Sequence, residues 1–281
     1  MLVVSGAGLS ELSSRPSLIN YCRQLWQRRH FILEDAKAKA LRSTRDYRLW
    51  RLWLVVNPLF DVVLYGFLFG FLFKTSRGID NFIGWLFIGI IYMRMLVSLF
   101  TSGSGLLTSN RAMIRTFHFP RVSVVFSSAL RQSIDNTVPG VVALVAAFLL
   151  QWGKLPTWTT LLVIPLFVLM HIFGTGLMMI LARITAEISD VKVVVPLISQ
   201  AWFFLSGVMF SLERFNSNPT VKEIMMLNPA HTFLTAVRDT TIYGQAPTFD
   251  VWIQLFVWSA SVFLLGFIFF WAAEEKYIRI A

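Results

Sequence analysis

The chain has 281 residues, 56% of them hydrophobic, with a mean hydropathy of +0.65, which is too apolar for an ordinary soluble domain. Its formal net charge is +10, and its single cysteine, Cys22, excludes an internal disulfide and a cysteine-based zinc cage.

Residues 1–17 hold Gly, Ser and Pro without periodicity and read as a flexible N-terminus. The first 51 residues are polar and basic, with no short apolar core ahead of a small-residue cleavage site, so no cleaved leader is expected. From Leu18 to about Ala40, apolar residues recur at helical spacing: Leu18, Cys22, Leu25, Trp26, Leu33, Ala36 and Ala40. Arg23, Arg28, Lys37 and Lys39 sit mostly between them. Residues 18–51 therefore read as a cytoplasmic amphipathic helix lying in the headgroup layer, or as a basic retention signal with no mechanical role.

Six apolar spans follow in 52–281: Leu52–Phe73, Phe82–Ser104, Phe126–Leu150, Leu161–Ala182, Val193–Ser211 and Val251–Ala273. Each is about long enough to cross a hydrocarbon core of roughly 30 Å as a helix. The predicted class is an all-α integral membrane protein of six transmembrane helices, with no room for a second folded domain. The first span carries Asn57, Pro58 and Asp61, then a Gly66/Gly70 pair that would let another helix approach. The connection Leu212–Asp250 is long and only partly polar. Its Ile224–Leu227 and Phe233–Leu234 suit two short re-entrant helices broken at Asn228–Pro229, or a loop packed on its own protein.

Lys and Arg sort by side. Ten lie in residues 1–51. Arg111, Arg115, Arg121, Arg183, Lys192, Lys276 and Arg279 join them on the same face, against six on the other. The positive-inside rule puts both termini in the cytoplasm, as an even number of spans requires. Asp61, Arg94, Arg131 and Asp135 fall inside spans, where an unpaired charge costs roughly 2.5–3.5 kcal/mol. Arg131 and Asp135 share a helical face and can pair, and Asp61 with Arg94 is a second candidate pair. These groups either serve a proton relay or headgroup site, or only pin helices together.

Catalytic signatures are missing. There is no Gly-x-x-x-x-Gly-Lys-Ser/Thr phosphate loop, no His-Glu-x-x-His and no Gly-x-Ser-x-Gly; the four histidines are scattered. No metal site and no cofactor is expected in this chain, and it is not expected to be an enzyme by itself. A membrane glycosyltransferase and an ion-coupled secondary transporter remain as alternatives, although no inverted repeat supports the latter.

The acid-free connection from Ser109 to Arg121 carries a resemblance. Asn110, Met113–Ile114 and Phe119–Pro120–Arg121 are similar to the loop of type-two ABC export permeases, the branch moving lipid-linked polysaccharides such as O-antigen, capsule, teichoic acid and galactan. Ser189–Asp190–Val191, Pro196 and Phe204–Val208 resemble a second family stretch, departing from it at Ser189 and Gly207. Asn228–Pro229 with Arg238–Asp239 resembles the external element, and Trp53–Pro58 the first span; the usual segment before that span is not clear in Arg42–Trp50. The likeness covers about residues 21–275, and its cast is nearest the actinobacterial galactan-exporter or teichoic-acid branch.

This resemblance implies a homodimeric pore in the plasma membrane, docked to two separate ATPase subunits that hold ATP and Mg. The implied cargo is a polyprenyl-diphosphate-linked polysaccharide, with a drug or small lipid as the alternative. The implied coupling loop is Asn110, Arg111, Met113, Ile114, Arg115, Phe119, Pro120 and Arg121, its arginines facing the ATPase and Phe119–Pro120 filling a cleft there. The bland reading is that those arginines only enforce sidedness. A second cytoplasmic loop offers Arg183, Glu187 and Asp190. Arg23, Trp26, Arg28 and Arg29 stand where a lipid headgroup would enter a lateral gate. Nucleic acid is not needed to explain the positive charge.

Overall fold

The computed structural model of the chain describes residues 17–42, 56, 60, 63–72, 79, 81–116, 119–151, 156–211 and 219–277. Among these the regular structure is helical, without strands. All of the expected flexible segment 1–17 except Ser17, the N-cap of α1, and Asn57, Pro58 and Asp61 lie outside the described residues.

The single amphipathic helix expected to run to Ala40 is two helices, α1 (Leu18–Gln27) and α2 (Arg29–Arg42). They meet at Arg28, whose N–H is shared between the carbonyls of Gln24 and Leu25. The break lets the halves serve different surfaces. Tyr21 of α1 is buried at the end of the last helix, while Ala36 and Ala40 seat α2 along the third span.

Of the first expected span, Leu52–Phe73, the described end is a π-helical turn, Gly66–Leu72. Then come α3 (Phe82–Ser102), α4 (Leu106–Ser109), α5 (Arg111–Thr116) and α6 (Val122–Leu149). A short 3-10 turn, Trp158–Leu162, leads into α7 (Val163–Glu187), followed by α8 (Val191–Leu205), α9 (Pro219–Met226) and α10 (Pro229–Arg238). A π-turn, Asp239–Tyr243, precedes α11 (Phe249–Ala272).

Four of these helices are long and apolar enough to cross a membrane: α3, α6, α7 with its leading turn, and α11. At 21 residues, α3 is about 31 Å long. The expected fifth span, Val193–Ser211, is shorter. Its helix α8 ends at Leu205 after 15 residues, and Ser206–Phe210 turn away. Gly207 causes the stop. It sits at φ 67°, a conformation open to glycine, and an added Cβ would also press on His231 Nδ1 at 3.0 Å.

The centre of the bundle is α3, which touches α6, α7, α8 and α10. It is apolar all round, and Leu86, Ile88, Ile90, Met93 and Leu96 have no exposed surface. Helix α6 is zipped to α3 by Gln132, which accepts from Ser98 Oγ at 2.9 Å and donates to Ser102 Oγ at 2.6 Å. Asn136 of α6 meets His171 Nε2 of α7 at 3.2 Å, and the other ring nitrogen meets the Phe167 carbonyl at 2.8 Å. If the Asn136 amide donates, the imidazole is neutral with its proton on Nδ1. Such bonds hold helices together where lipid offers no hydrophobic drive for association.

Helices α7 and α11 touch backbone to backbone. A Cβ at Gly176 would stand 2.5 Å from the Val262 carbonyl, and one at Gly266 would strike Gly176. Gly266→Val is therefore expected to force these helices apart, at a cost of about 1–3 kcal/mol. Thermal unfolding of the detergent-solubilised chain should show it, with lipid-side Leu265→Val unchanged.

Candidate coupling surface

One end of the bundle, the basic end, gathers α1, the 103–121 connection, the α7–α8 connection and the residues after α11. The connection starts where α3 stops. Gly103 and Gly105 turn the chain, and Thr185 Oγ1 accepts from the Gly105 N–H at 3.1 Å. Leu106, Leu107 and Ile114 are buried beneath α4 and α5 and fasten them to the bundle. Arg111 and Arg115 of α5 are exposed, and Met113 is half-buried. Arg111 and Arg115 are one helical turn apart on one face.

Phe119 and Pro120, expected to enter a cleft on a partner, are buried within this chain; the Phe119 ring lies 5.7 Å from that of Phe31 on α2. Arg121 is likewise engaged internally. Its N–H reaches Glu274 Oε1 at 2.8 Å and its guanidinium pairs with the same oxygen at 3.2 Å. The other carboxylate oxygen accepts from Tyr21 Oη at 2.7 Å, and Tyr21 Oη accepts from the Val122 N–H at 3.3 Å. Helix α1, the exit of the loop and the C-terminal residues thus meet at one buried carboxylate.

The start of the loop is tied to α2. Lys39 donates to Asn110 Oδ1 at 3.3 Å and pairs with Asp35 at 2.7 Å, and Asp35 accepts from Ser127 of α6 at 2.5 Å. Both ends of the connection are therefore anchored to the N-terminal helix pair.

Burial raises the Glu274 carboxyl above its ordinary value, and the bonds from Arg121 and Tyr21 pull it back down. Burial beside that carboxylate pushes the Tyr21 phenol well up, so it stays a donor. Because the folded carboxyl holds its proton to higher pH than the unfolded one, stability falls as pH rises through that window, and Glu274→Gln should flatten the slope. Tyr21→Phe leaves a carboxylate oxygen and the Val122 N–H without this partner. It should cost about 1–3 kcal/mol in a thermal unfolding measurement.

The second loop is tied to α11 and the residues that follow it. Arg183 pairs with Glu187 at 3.3 Å, donates to the Phe269 carbonyl and lies 3.9 Å over the Phe269 ring. Lys276 adds a bond to Glu187 at 3.4 Å. Asp190 alone of the three expected residues points outward without a side-chain bond among the described residues. Arg23, Arg28 and Arg29 are exposed on the N-terminal helices, and Arg29 stacks on Trp26 at 5.2 Å.

Within the spans, Arg131 and Asp135 pair along α6 at 3.3 Å, both part-exposed. Arg94 is an exposed residue of the mostly buried α3; its expected partner Asp61 is outside the described residues.

At the opposite end, Asn228 caps α10. Its Oδ1 accepts from the Ala230 N–H and from Trp202 Nε1, each at 3.1 Å, and its Nδ2 donates to Ser206 Oγ at 2.9 Å. Pro229 takes the first helical turn, where no N–H is required. Arg238 at the other end of α10 is 2% exposed. It donates to the carbonyls of Trp85 at 3.3 Å, Gly207 at 3.1 Å and Val208 at 3.0 Å, and lies 3.3 Å over the Trp85 ring. Neighbouring Asp239 is not among its bonding partners.

Sequence reasoning missed Tyr21, Asp35, Lys39 and Glu274 as structural ties. Of these only Glu274 carries a sequence signal, an acid at the end of an apolar span. No group of three His, Cys, Asp or Glu residues placed to hold a metal occurs among the described residues.

The sequence pattern of the ABC-2 type transporter family matches residues 36–242, from α2 through the π-turn after α10. The O-antigen export system permease protein RfbA of Klebsiella pneumoniae is 23% identical over 214 residues, which cover 75% of this chain and 78% of that protein. The family match over residues 36–242 includes the whole loop Asn110–Arg121 and the Asn228–Arg238 element. With its long apolar helices and that match across most of its length, this chain belongs to the ABC-2 type transporter family, the multi-pass transmembrane subunits that work with an ABC ATPase.

Proposed function

We propose that the chain is the permease of an ATP-driven exporter that carries a polyprenyl-diphosphate-linked polysaccharide from the cytoplasm across the plasma membrane. Two copies form the pore, with both termini cytoplasmic, and two separate ATPase chains dock on the basic end. The observation that carries the mechanism is the construction of the 103–121 connection. Its outer face presents Arg111 and Arg115, while its inner face is bolted to α2, α6 and the C-terminal residues. A push on α5 is thereby delivered to the N-terminal helices and to α6 together. The likeness to an O-antigen export permease supports the cargo class.

Under this reading ATP and Mg belong to the partner, and α1 with Arg23, Arg28 and Arg29 flanks the route by which an anionic lipid carrier enters. The test is reconstitution of the chain with its cognate ATPase in vesicles. Lipid-linked glycan is expected to stimulate ATP hydrolysis and to be carried across. Stimulation by a drug or short lipid alone would replace the cargo, and transport driven by an ion gradient without ATP would sink the proposal.

A further inference from the structure

A cavity of about 590 Å³ lies under α1, between it and α6, α7 and α11. Its walls are Phe126 and Leu130 of α6, His171 of α7 and Phe263 of α11, and its mouth is Trp26 and Arg29. On α6 the lining runs from Phe126 to Ser133, seven residues or about 10 Å of helix, beginning four residues inside the end of α6 at Val122. The space therefore runs along the spans from beneath the N-terminal helices, a track for part of one acyl chain.

Its lining is almost wholly apolar and contains no acid. Among the described residues the exposed Arg29 guanidinium donates to a single acceptor, the Trp26 carbonyl at 3.2 Å, out of five N–H donors. The exposed Arg28 is next in sequence. Water gains nothing from such a lining, and a protein segment would have to enter from within the bilayer. A chain of hydrocarbon headed by a phosphate satisfies both ends.

We propose that this cavity is a binding site for an anionic glycerophospholipid of the surrounding leaflet, one acyl chain between α6, α7 and α11 and its phosphate on Arg29. The bound lipid wedges α1 against the spans and sets its height at the membrane surface. The inference rests on reading the basic end as the membrane surface of the protein, but not on the cargo or on ATP.

The test uses the full-length chain in nanodiscs of equal phosphatidylglycerol and phosphatidylcholine, re-extracted in mild detergent, with retained lipids counted by mass spectrometry. Phosphatidylglycerol is expected in about five-fold preference, the contribution of one interfacial arginine. Arg29→Gln, an exposed change that leaves the fold intact, should abolish the preference. Ala129→Phe, which fills the cavity from α6, should abolish retention of both lipids. Equal retention of the two lipids by the parent, or an undiminished preference in Arg29→Gln, would overturn the site. So would displacement of phosphatidylglycerol by a polyprenyl-diphosphate glycan, which would assign the cavity to the cargo. Loss of export activity with lipid preference intact would instead count only against the proposed function.

Discussion

Arg238→Ala is expected to cost on the order of 3–5 kcal/mol, enough to remove most of the folded chain from detergent extracts. The argument starts from α8. That helix ends at Leu205 because Gly207 takes a left-handed turn, which leaves the carbonyls of Gly207 and Val208 facing the protein interior. Arg238 supplies the donors they need, adds the Trp85 carbonyl of α3, and lays its plane on the Trp85 ring. Three elements far apart in sequence are joined by one side chain, with no carboxylate in the set. Deleting it leaves a void and three buried acceptors without this donor. Arg238→Lys should fall between, because a single ammonium lacks the planar fork that reaches three carbonyls. Gly89→Val tests the same cage from α3, since a Cβ there would run into the guanidinium and stand 3.0 Å from the Val208 carbonyl. Size-exclusion profiles and thermal midpoints are the readouts. Parent-like stability in Arg238→Ala would mean the cage holds nothing.

Hydropathy made the long helices legible: α3, α6, α7 and α11 fall within a few residues of the expected second, third, fourth and sixth spans. The break at Asn228–Pro229 was legible for a local reason, since an asparagine cap and a proline in the first turn start a helix without outside help. The end of α8 was not, because a lone glycine in an apolar run does not announce a left-handed turn. Apolar character also fails to say which protein buries a residue. Phe119 and Pro120 looked available to a partner, yet Phe31 on α2 and the bundle already cover them. Tyr21, Arg121 and Glu274 converge only after folding, the first and the last being 253 positions apart in sequence, and no spacing rule reaches that far.

Arg111→Glu/Arg115→Glu is expected to lower co-purification of the chain with its ABC ATPase by at least about a hundred-fold, since two misplaced like charges cost several kcal/mol in a docked interface. Neither arginine makes a side-chain bond among the described residues, and the buried Ile114 between them fastens α5 to the bundle. The double variant should therefore fold, extract and melt like the parent. Arg121→Glu makes the contrast. It sets a second carboxylate against buried Glu274 and should lose the folded chain itself, so its loss of ATPase binding would say nothing about docking. The same pair of measurements, melting and co-purification, separates a surface that meets a partner from a side chain that holds the loop in place. If the double reversal binds its ATPase as the parent does, Arg111 and Arg115 only enforce sidedness, and docking falls instead to the exposed Asp190 turn between α7 and α8.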